Sequence, residues 1–205
     1  ILILVEVNYP KNSFATRLIE ENEMTKKALY LNVIKKISLL LGFVFSVQIH
    51  AADLKPGDSA PQFSLVNQQG EIVNLSDYQG KWVVLYFYPK NDTPGCTTEA
   101  CSFRDNINRL IAQDSVVLGV SLDSQKSHAA FAKKHNLPFD LLADEEGKVA
   151  DSYNALLDLK VVKFAKRHSF IINPQGVIAK VYRSVDPDKH VREVMADLKV
   201  LQTAS

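Results

Sequence analysis

"WVVLYFYPKNDTPGCTTEACSFRD", residues 82–105, decides how the rest of the chain is read. Its first seven residues are all β-branched, aromatic or aliphatic, the pattern of a strand buried on both faces of a sheet. Pro94 and Gly95 then make a turn. Ala100, Phe103, Ile107, Leu110 and Ile111 recur at helical spacing and predict a helix over 97–113. The chain's two cysteines, Cys96 and Cys101, both fall at this junction. Their Cys-x4-Cys spacing suits neither a zinc knuckle nor the redox pair Cys-x-x-Cys.

Working outward, the same alternation of periods continues. "EIVNL" (71–75) predicts a short strand ended by the turn "SDYQGK", and "SVVLGVS" (115–121) predicts a second buried strand. Ser124 to His135 is an amphipathic helix stopped by "NLP", and a shorter helix follows the turn "ADEEGK". "SFIIN" and "VIAKVYR" flank "PQG" as a β-hairpin. The last helix is predicted from Asp186 as N-cap, with Pro187 at its first position, to about residue 201. Strand, helix, strand, helix, then hairpin and helix predict an α/β fold, thioredoxin-like in order, with a central mixed β-sheet flanked by helices. Trp82 and Phe87 are assigned to its core.

Of the 205 residues, 46% are hydrophobic and 23% charged, and the net charge is +1 with both signs interspersed. These values fit one globular domain and give no basic footprint for nucleic acid. Two cysteines rule out a disulfide-rich scaffold and a four-cysteine zinc site.

The first 52 residues follow a different pattern. From Met24, the first methionine, come Lys26, Lys27, Lys35 and Lys36, an apolar run from Ile37 to Ile49, and then Ala51 and Ala52. A basic segment, a short apolar run and small residues predict a signal peptide over 24–52, cleaved near Ala51 or Ala52. The run is short of the roughly 20 apolar residues that span a membrane. Residues 1–23 are expected to be upstream, non-native sequence, and 53–205 the folded domain. The protein is therefore expected in the periplasm or secreted, with a cytoplasmic location as the alternative, and not membrane-bound after cleavage.

Cys96, directly after "TPG", is expected at the helix N-cap, with Glu99 three residues on as in a capping box. A thiol there faces unpaired backbone N–H groups and the positive end of the helix dipole, which favour the nucleophilic thiolate. Cys101 lies about 7.5 Å further along and about 140° round an ideal helix, so the two Cα atoms are roughly 8–9 Å apart. A disulfide needs them within about 7 Å. The thiols cannot bridge while the helix is intact, so a disulfide that cycles through local unwinding fits better than a permanent one.

"VVLYFYPKNDTPGCTTEACSFRD" resembles the active-site segment of the peroxiredoxins, specifically the bacterioferritin comigratory protein, or peroxiredoxin Q, subfamily. The signature Pro-x-x-x-Thr-x-x-Cys matches Pro89, Thr93 and Cys96, and the resemblance continues through "KRHSFIINPQGVI" over about residues 53–201. It implies a thiol-dependent peroxidase acting on hydrogen peroxide and organic hydroperoxides. Cys96 would become a sulfenic acid. Cys101 would condense with it to an intramolecular disulfide, recycled by a thioredoxin or thioredoxin-like donor. Arg167 would stabilise the thiolate and bind the peroxide, Thr93 would hold both through its hydroxyl, Pro89 would shield the pocket, and Glu99 would support. No metal, flavin or haem is implied, and a monomer is favoured. Two positions depart from the pattern. Asn91 replaces a common aspartate where little effect is expected, and "LLDLKVVKFAKRH" lacks the usual loop glycine, which puts its shape in doubt.

Other residues receive duller readings. On a strand, neighbours point to opposite faces, so His168 is not expected in a pocket with Arg167. His128 and His135 are expected at the surface of a charged helix, and Asp144-Glu145-Glu146 as a solvated turn. Two competing functions remain: a thiol–disulfide oxidoreductase, disfavoured by the absence of Cys-x-x-Cys, and a redox-responsive holdase exposing its unwound helix.

Overall fold

The strand β3 (Trp82–Phe87) stands at the centre of the sheet, and all six of its residues are buried. Alternate residues serve opposite layers, as a pleated strand requires. Trp82, Val84 and Tyr86 join one apolar cluster, while Val83, Leu85 and Phe87 join the other. The structure is a computed structural model and describes residues 25–26 and 53–203. The chain divides into a unit of residues 1–50 and a unit of residues 51–205. Thr25 and Lys26 are helical; the expectations for residues 1–23 and for the rest of 24–52 lie outside the described residues.

In chain order the domain contains β1 (Ser64–Asn67), β2 (Ile72–Asn74), a 3-10 turn (Leu75–Tyr78), β3, α1 (Pro94–Ile111), β4 (Ser115–Ser121) and α2 (Gln125–His135). It continues with β5 (Asp140–Ala143), α3 (Lys148–Ser152), β6 (Leu156–Asp158), β7 (Lys163–Ala165), β8 (Ser169–Ile172), β9 (Ile178–Tyr182) and α4 (His190–Thr203). Seven strands form one sheet in the order β2-β1-β5-β4-β3-β8-β9, and β6 and β7 form a separate hairpin. β3, β4 and β5 run parallel, while β8 and β9 on one side and β1 and β2 on the other are antiparallel. This is the expected mixed α/β, thioredoxin-like fold.

One layer packs α1, α2 and α4 against the sheet through Phe103, Leu110, Phe131, Val194 and Leu198. The other packs the N-terminal segment, the 3-10 turn and α3 through Phe63, Leu75, Ala150 and Tyr153. Gly119 is needed where the layers meet the sheet: a Cβ there would lie 2.7 Å from the Tyr86 ring, so only glycine lets that phenol lie across β4.

Several boundaries differ from the sequence reading for physical reasons. The helix α1 begins at Pro94 because proline's missing N–H is no loss in the first turn. The last helix begins at His190, because Asp186 caps a preceding turn in which its side chain accepts the Asp188 N–H (3.1 Å). Asp144 is buried, not solvated: its carboxylate accepts the N–H groups of Val149 (3.2 Å) and Ala150 (2.7 Å), tying β5 to α3. The segment from Leu156 to Ala165, whose shape the missing glycine left open, is the β6–β7 hairpin, with Lys160 in the left-handed region (φ 71°).

Candidate active site

The sheet register places the site. β3 and β8 are antiparallel with Tyr86 opposite Ser169, so the exit of β3 and the entrance of β8 lie side by side. The first leads through Pro89 to the start of α1; the second is preceded by Arg167. Residues 71 apart in the chain therefore meet: Arg167 Nη2 donates to Cys96 Sγ at 3.2 Å. Gly95 permits the approach, since a Cβ there would lie 3.3 Å from Arg167 Nη2 and 3.4 Å from the Pro187 ring.

Cys96 is the third residue of α1, not its N-cap; Thr93 is the N-cap. The thiol thus lies within the first turn, where backbone N–H groups lack helical acceptors and the dipole is positive. Only 2% of Cys96 is exposed, so its sulfur is shielded from bulk water. Glu99 does not form a capping box. Its fully buried carboxylate takes Arg167 Nη1 at 2.5 Å, so the guanidinium bridges Glu99 and Cys96 as a fork fixed at both tines. Burial pushes the Glu99 carboxyl up to about 7 against the pull of Arg167. Burial draws the Arg167 guanidinium down, but the charges of Glu99 and Cys96 outweigh it and leave its pKa raised.

Behind this pair lie residues that the sequence reading passed over. His190 Nε2 stands 4.0 Å from the second Glu99 oxygen and 3.0 Å from Ser169 Oγ. Burial, and then Arg167, push its imidazole down to about 4, so it is neutral. The Tyr86 ring stacks on Phe103 at 4.9 Å, beneath the helix that carries Cys96. Tyr86 was hidden in an apolar run, and His190 carried no motif.

The remaining site residues fall as follows. The Thr93 hydroxyl donates to the Lys90 carbonyl (3.0 Å), which orients it and leaves its lone pairs to accept. Pro89 is half-buried at the exit of β3. Asn91 is not a neutral loop position. It is buried, accepts from Tyr88 Oη (2.7 Å), donates to Ser127 Oγ (2.9 Å) and lies 3.1 Å from His128 Nδ1. His128 is correspondingly core rather than surface, pushed down to about 4 by burial. His135 is only partly exposed, with its Nδ1 3.9 Å from Cys101 Sγ. His168 turns away from Arg167, as expected, and its Nδ1 meets Arg183 at 3.1 Å. Both cysteines are free thiols in an unbroken helix, Cys96 buried and Cys101 partly exposed. Among the described residues no group of three His, Cys, Asp or Glu could hold a metal.

Known proteins resemble this chain in sequence and in fold. The AhpC/TSA family profile matches residues 56–181. The chain belongs to the AhpC/TSA family. It is 46% identical over 149 residues to peroxiredoxin Bcp of Bacillus subtilis, covering 70% of this chain and 94% of the relative. It is 42% identical over 153 residues to the chloroplastic peroxiredoxin Q of Sedum lineare, covering 74% and 80%. The crystal structure of peroxidoxin BcpB from Mycobacterium tuberculosis superposes with a TM-score of 0.69 at 33% identity, covering 72% of this chain and 97% of that one. The chain is thus a peroxiredoxin of the Bcp and peroxiredoxin Q kind, a thiol-dependent peroxidase. In this chain the buried, polarised thiol is Cys96 beside Arg167.

Proposed function

We propose that this peroxiredoxin reduces hydrogen peroxide and organic hydroperoxides through Cys96 and closes its cycle with an intramolecular Cys96–Cys101 disulfide. The observation that carries the proposal is the buried Cys96 thiol held by Arg167 at 3.2 Å, with a second cysteine five residues on in the same helix. The Cys96 thiolate attacks one peroxide oxygen. An S–O bond forms, the O–O bond breaks, and the departing oxygen takes a proton to leave as water or an alcohol. Arg167 offers N–H donors where negative charge develops on the peroxide. Thr93 accepts from the peroxide O–H, and Pro89 keeps water from the pocket.

Cys101 then attacks the sulfenate sulfur. Because α1 is continuous across both residues, its first turn has to unwind for the sulfurs to meet. A thioredoxin-like dithiol restores both thiols by exchange. The basic and apolar segment over 24–52 supports export, so the donor is a periplasmic thioredoxin-like protein rather than its cytosolic counterpart. The working unit is a monomer, since the resolving thiol lies in the same chain.

The test is one equivalent of peroxide added to reduced protein, read by intact mass and free-thiol count. Wild type forms a disulfide, Cys101→Ser stops at a sulfenic or more oxidised Cys96, and Cys96→Ser does not react rapidly. Unchanged kinetics in Cys96→Ser would remove the proposal. Turnover with each donor in parallel identifies the reductant class.

A further inference from the structure

We propose that His135, oriented by Asp92, is the general base that activates Cys101 for attack on the oxidised Cys96. The inference rests on the reading of Cys101 as the resolving thiol. Its starting point is an asymmetry between the two sulfurs. Cys96 has Arg167 and the open first turn of α1. Cys101 lies deeper in the helix, where every backbone N–H already has an acceptor, yet it too reacts only as a thiolate.

The surroundings of Cys101 supply what its helix position does not. His135, at the last residue of α2, brings Nδ1 to 3.9 Å from Cys101 Sγ. Its Nε2 lies 3.4 Å from Asp92 Oδ1. Asp92 sits in the turn between β3 and α1 with φ 56°, a left-handed conformation that aims its carboxylate at the end of α2. There it also takes Lys134 Nζ at 2.8 Å. Hydrogen bonding from Lys134, ahead of that from His135, holds the Asp92 carboxyl below the usual range, so it is ionised and can only accept. Nε2 therefore carries the imidazole hydrogen, and Nδ1 presents its lone pair to the thiol. The Phe131 ring packs edge-on against the imidazole at 5.0 Å. The order sulfur, imidazole, carboxylate is that of an activated nucleophile.

The charges around His135 are Asp92 from the turn, Arg104 with its partner Asp105 from α1, and Lys134 from α2. Arg104, one turn beyond Cys101, donates to the His135 carbonyl at 2.8 Å. Its own pKa is raised first by Asp105 and also by the charge of Cys101 and a hydrogen bond to it, so the Arg104 guanidinium faces the same sulfur as His135. This bond pins the part of α1 after Cys101 to the end of α2. Unwinding is thus confined to the turn carrying Cys96, which travels to a Cys101 that stays beside its base. In the step itself, the Cys101 proton passes to His135 Nδ1 and the thiolate attacks Cys96 Sγ. The S–S bond forms as the S–O bond breaks, and hydroxide leaves, taking the proton back as water. The Cys96 sulfur is reduced and the Cys101 sulfur oxidised, so no further reactant enters.

An unassisted thiol of ordinary pKa, about 8.5, is only about 3% ionised at pH 7, which caps the benefit of a base at roughly 30-fold there. The experiment is a rapid-quench single turnover with hydrogen peroxide on full-length wild type, His135→Gln and Asp92→Asn, with disulfide and sulfenate resolved by mass. His135→Gln is expected to slow disulfide formation roughly 10- to 30-fold at pH 7 and to converge on wild type by about pH 9. Asp92→Asn gives a smaller loss in the same direction. Iodoacetamide alkylation of Cys101 in a Cys96→Ser background, which needs no unwinding, slows by the same factor on adding His135→Gln. An unchanged rate at pH 7 in either assay, or a loss equal at all pH values, overturns the inference. Absence of any disulfide in wild type instead overturns the cycle on which it rests.

Discussion

Cys96 and Cys101 belong to one helix and one element of sequence, yet they occupy opposite environments. Cys96 is sealed under the exit of β3, faces a guanidinium at 3.2 Å, and sits at the positive end of the dipole. Cys101 is partly exposed, packs toward a neighbouring helix, and has the His135 imidazole at 3.9 Å beside the partly exposed Arg104 guanidinium, which also hydrogen-bonds it. The buried sulfur is held by a guanidinium that Glu99 fixes in place, whereas the partly exposed one sits between an imidazole and a guanidinium near the solvent. The contrast shows how a helix can hold two identical side chains in sequence order and assign them different chemistry by what it packs against.

The predictions that bear on this comparison run from the largest effect to the smallest. Cys96→Ser abolishes rapid peroxide reduction, measured by peroxide loss at one equivalent. Arg167→Met, which empties the guanidinium site, lowers the second-order rate with hydrogen peroxide by about 100- to 1,000-fold, the loss typical of one preorganised donor. Arg167→Lys is closer to this loss than to wild type, because one ammonium cannot hold both Glu99 and Cys96. Glu99→Gln removes the negative charge next to the same guanidinium and leaves it free for the thiolate. The inflection in the peroxide rate from a carboxyl pushed up to about 7 then disappears.

Stability follows the buried imidazoles. Burial pushes His128 and His190 down to about 4. Each binds its proton less readily folded than unfolded, so its contribution is complete above about pH 6.5 and is lost as pH falls toward 4. Glu99 runs the other way: its contribution is present below about pH 4.5 and is lost as pH rises through 7. With His168 also pushed down to about 4, three imidazoles outweigh the two carboxyls that burial raises, Glu99 and Asp144, so denaturant midpoints fall between pH 6.5 and 4. His128→Gln reduces the stability lost between pH 6.5 and 4 by on the order of 2 kcal/mol. Val161→Lys, at the tip of the β6–β7 hairpin where 92% of the residue is exposed, changes stability by less than about 0.5 kcal/mol.

Much of this arrangement was legible in the chain. Long elements with one period, such as β3, β4 and α2, stood out because their burial pattern is written into every residue. Cys96, Cys101 and Arg167 carried a motif, and the β3–β8 register brought two of them together. What stayed hidden depends on tertiary partners. β1 and β5 are four residues each, too short to show a period. Asn91 and His128 look like surface residues because their polarity is satisfied by groups far along the chain, Asn91 meeting Ser127 and His128 from α2, while Asp144 is satisfied by backbone N–H groups at the start of α3. His190 carries no motif in the sequence but lies behind Glu99 in the fold. Glu99 itself was noticed for the wrong reason: its spacing from Cys96 suggested a cap, and its true partner is Arg167.

The central claim is that one intact helix keeps the two thiols apart and that only its first turn yields to join them. Amide hydrogen exchange on reduced and peroxide-oxidised protein, read by mass at peptide resolution across α1, tests this most directly. The account predicts that protection over residues 97–101 is lost on oxidation while residues 104–111, pinned by Arg104 to the end of α2, keep theirs. Equal protection of 97–101 in both redox states would contradict it.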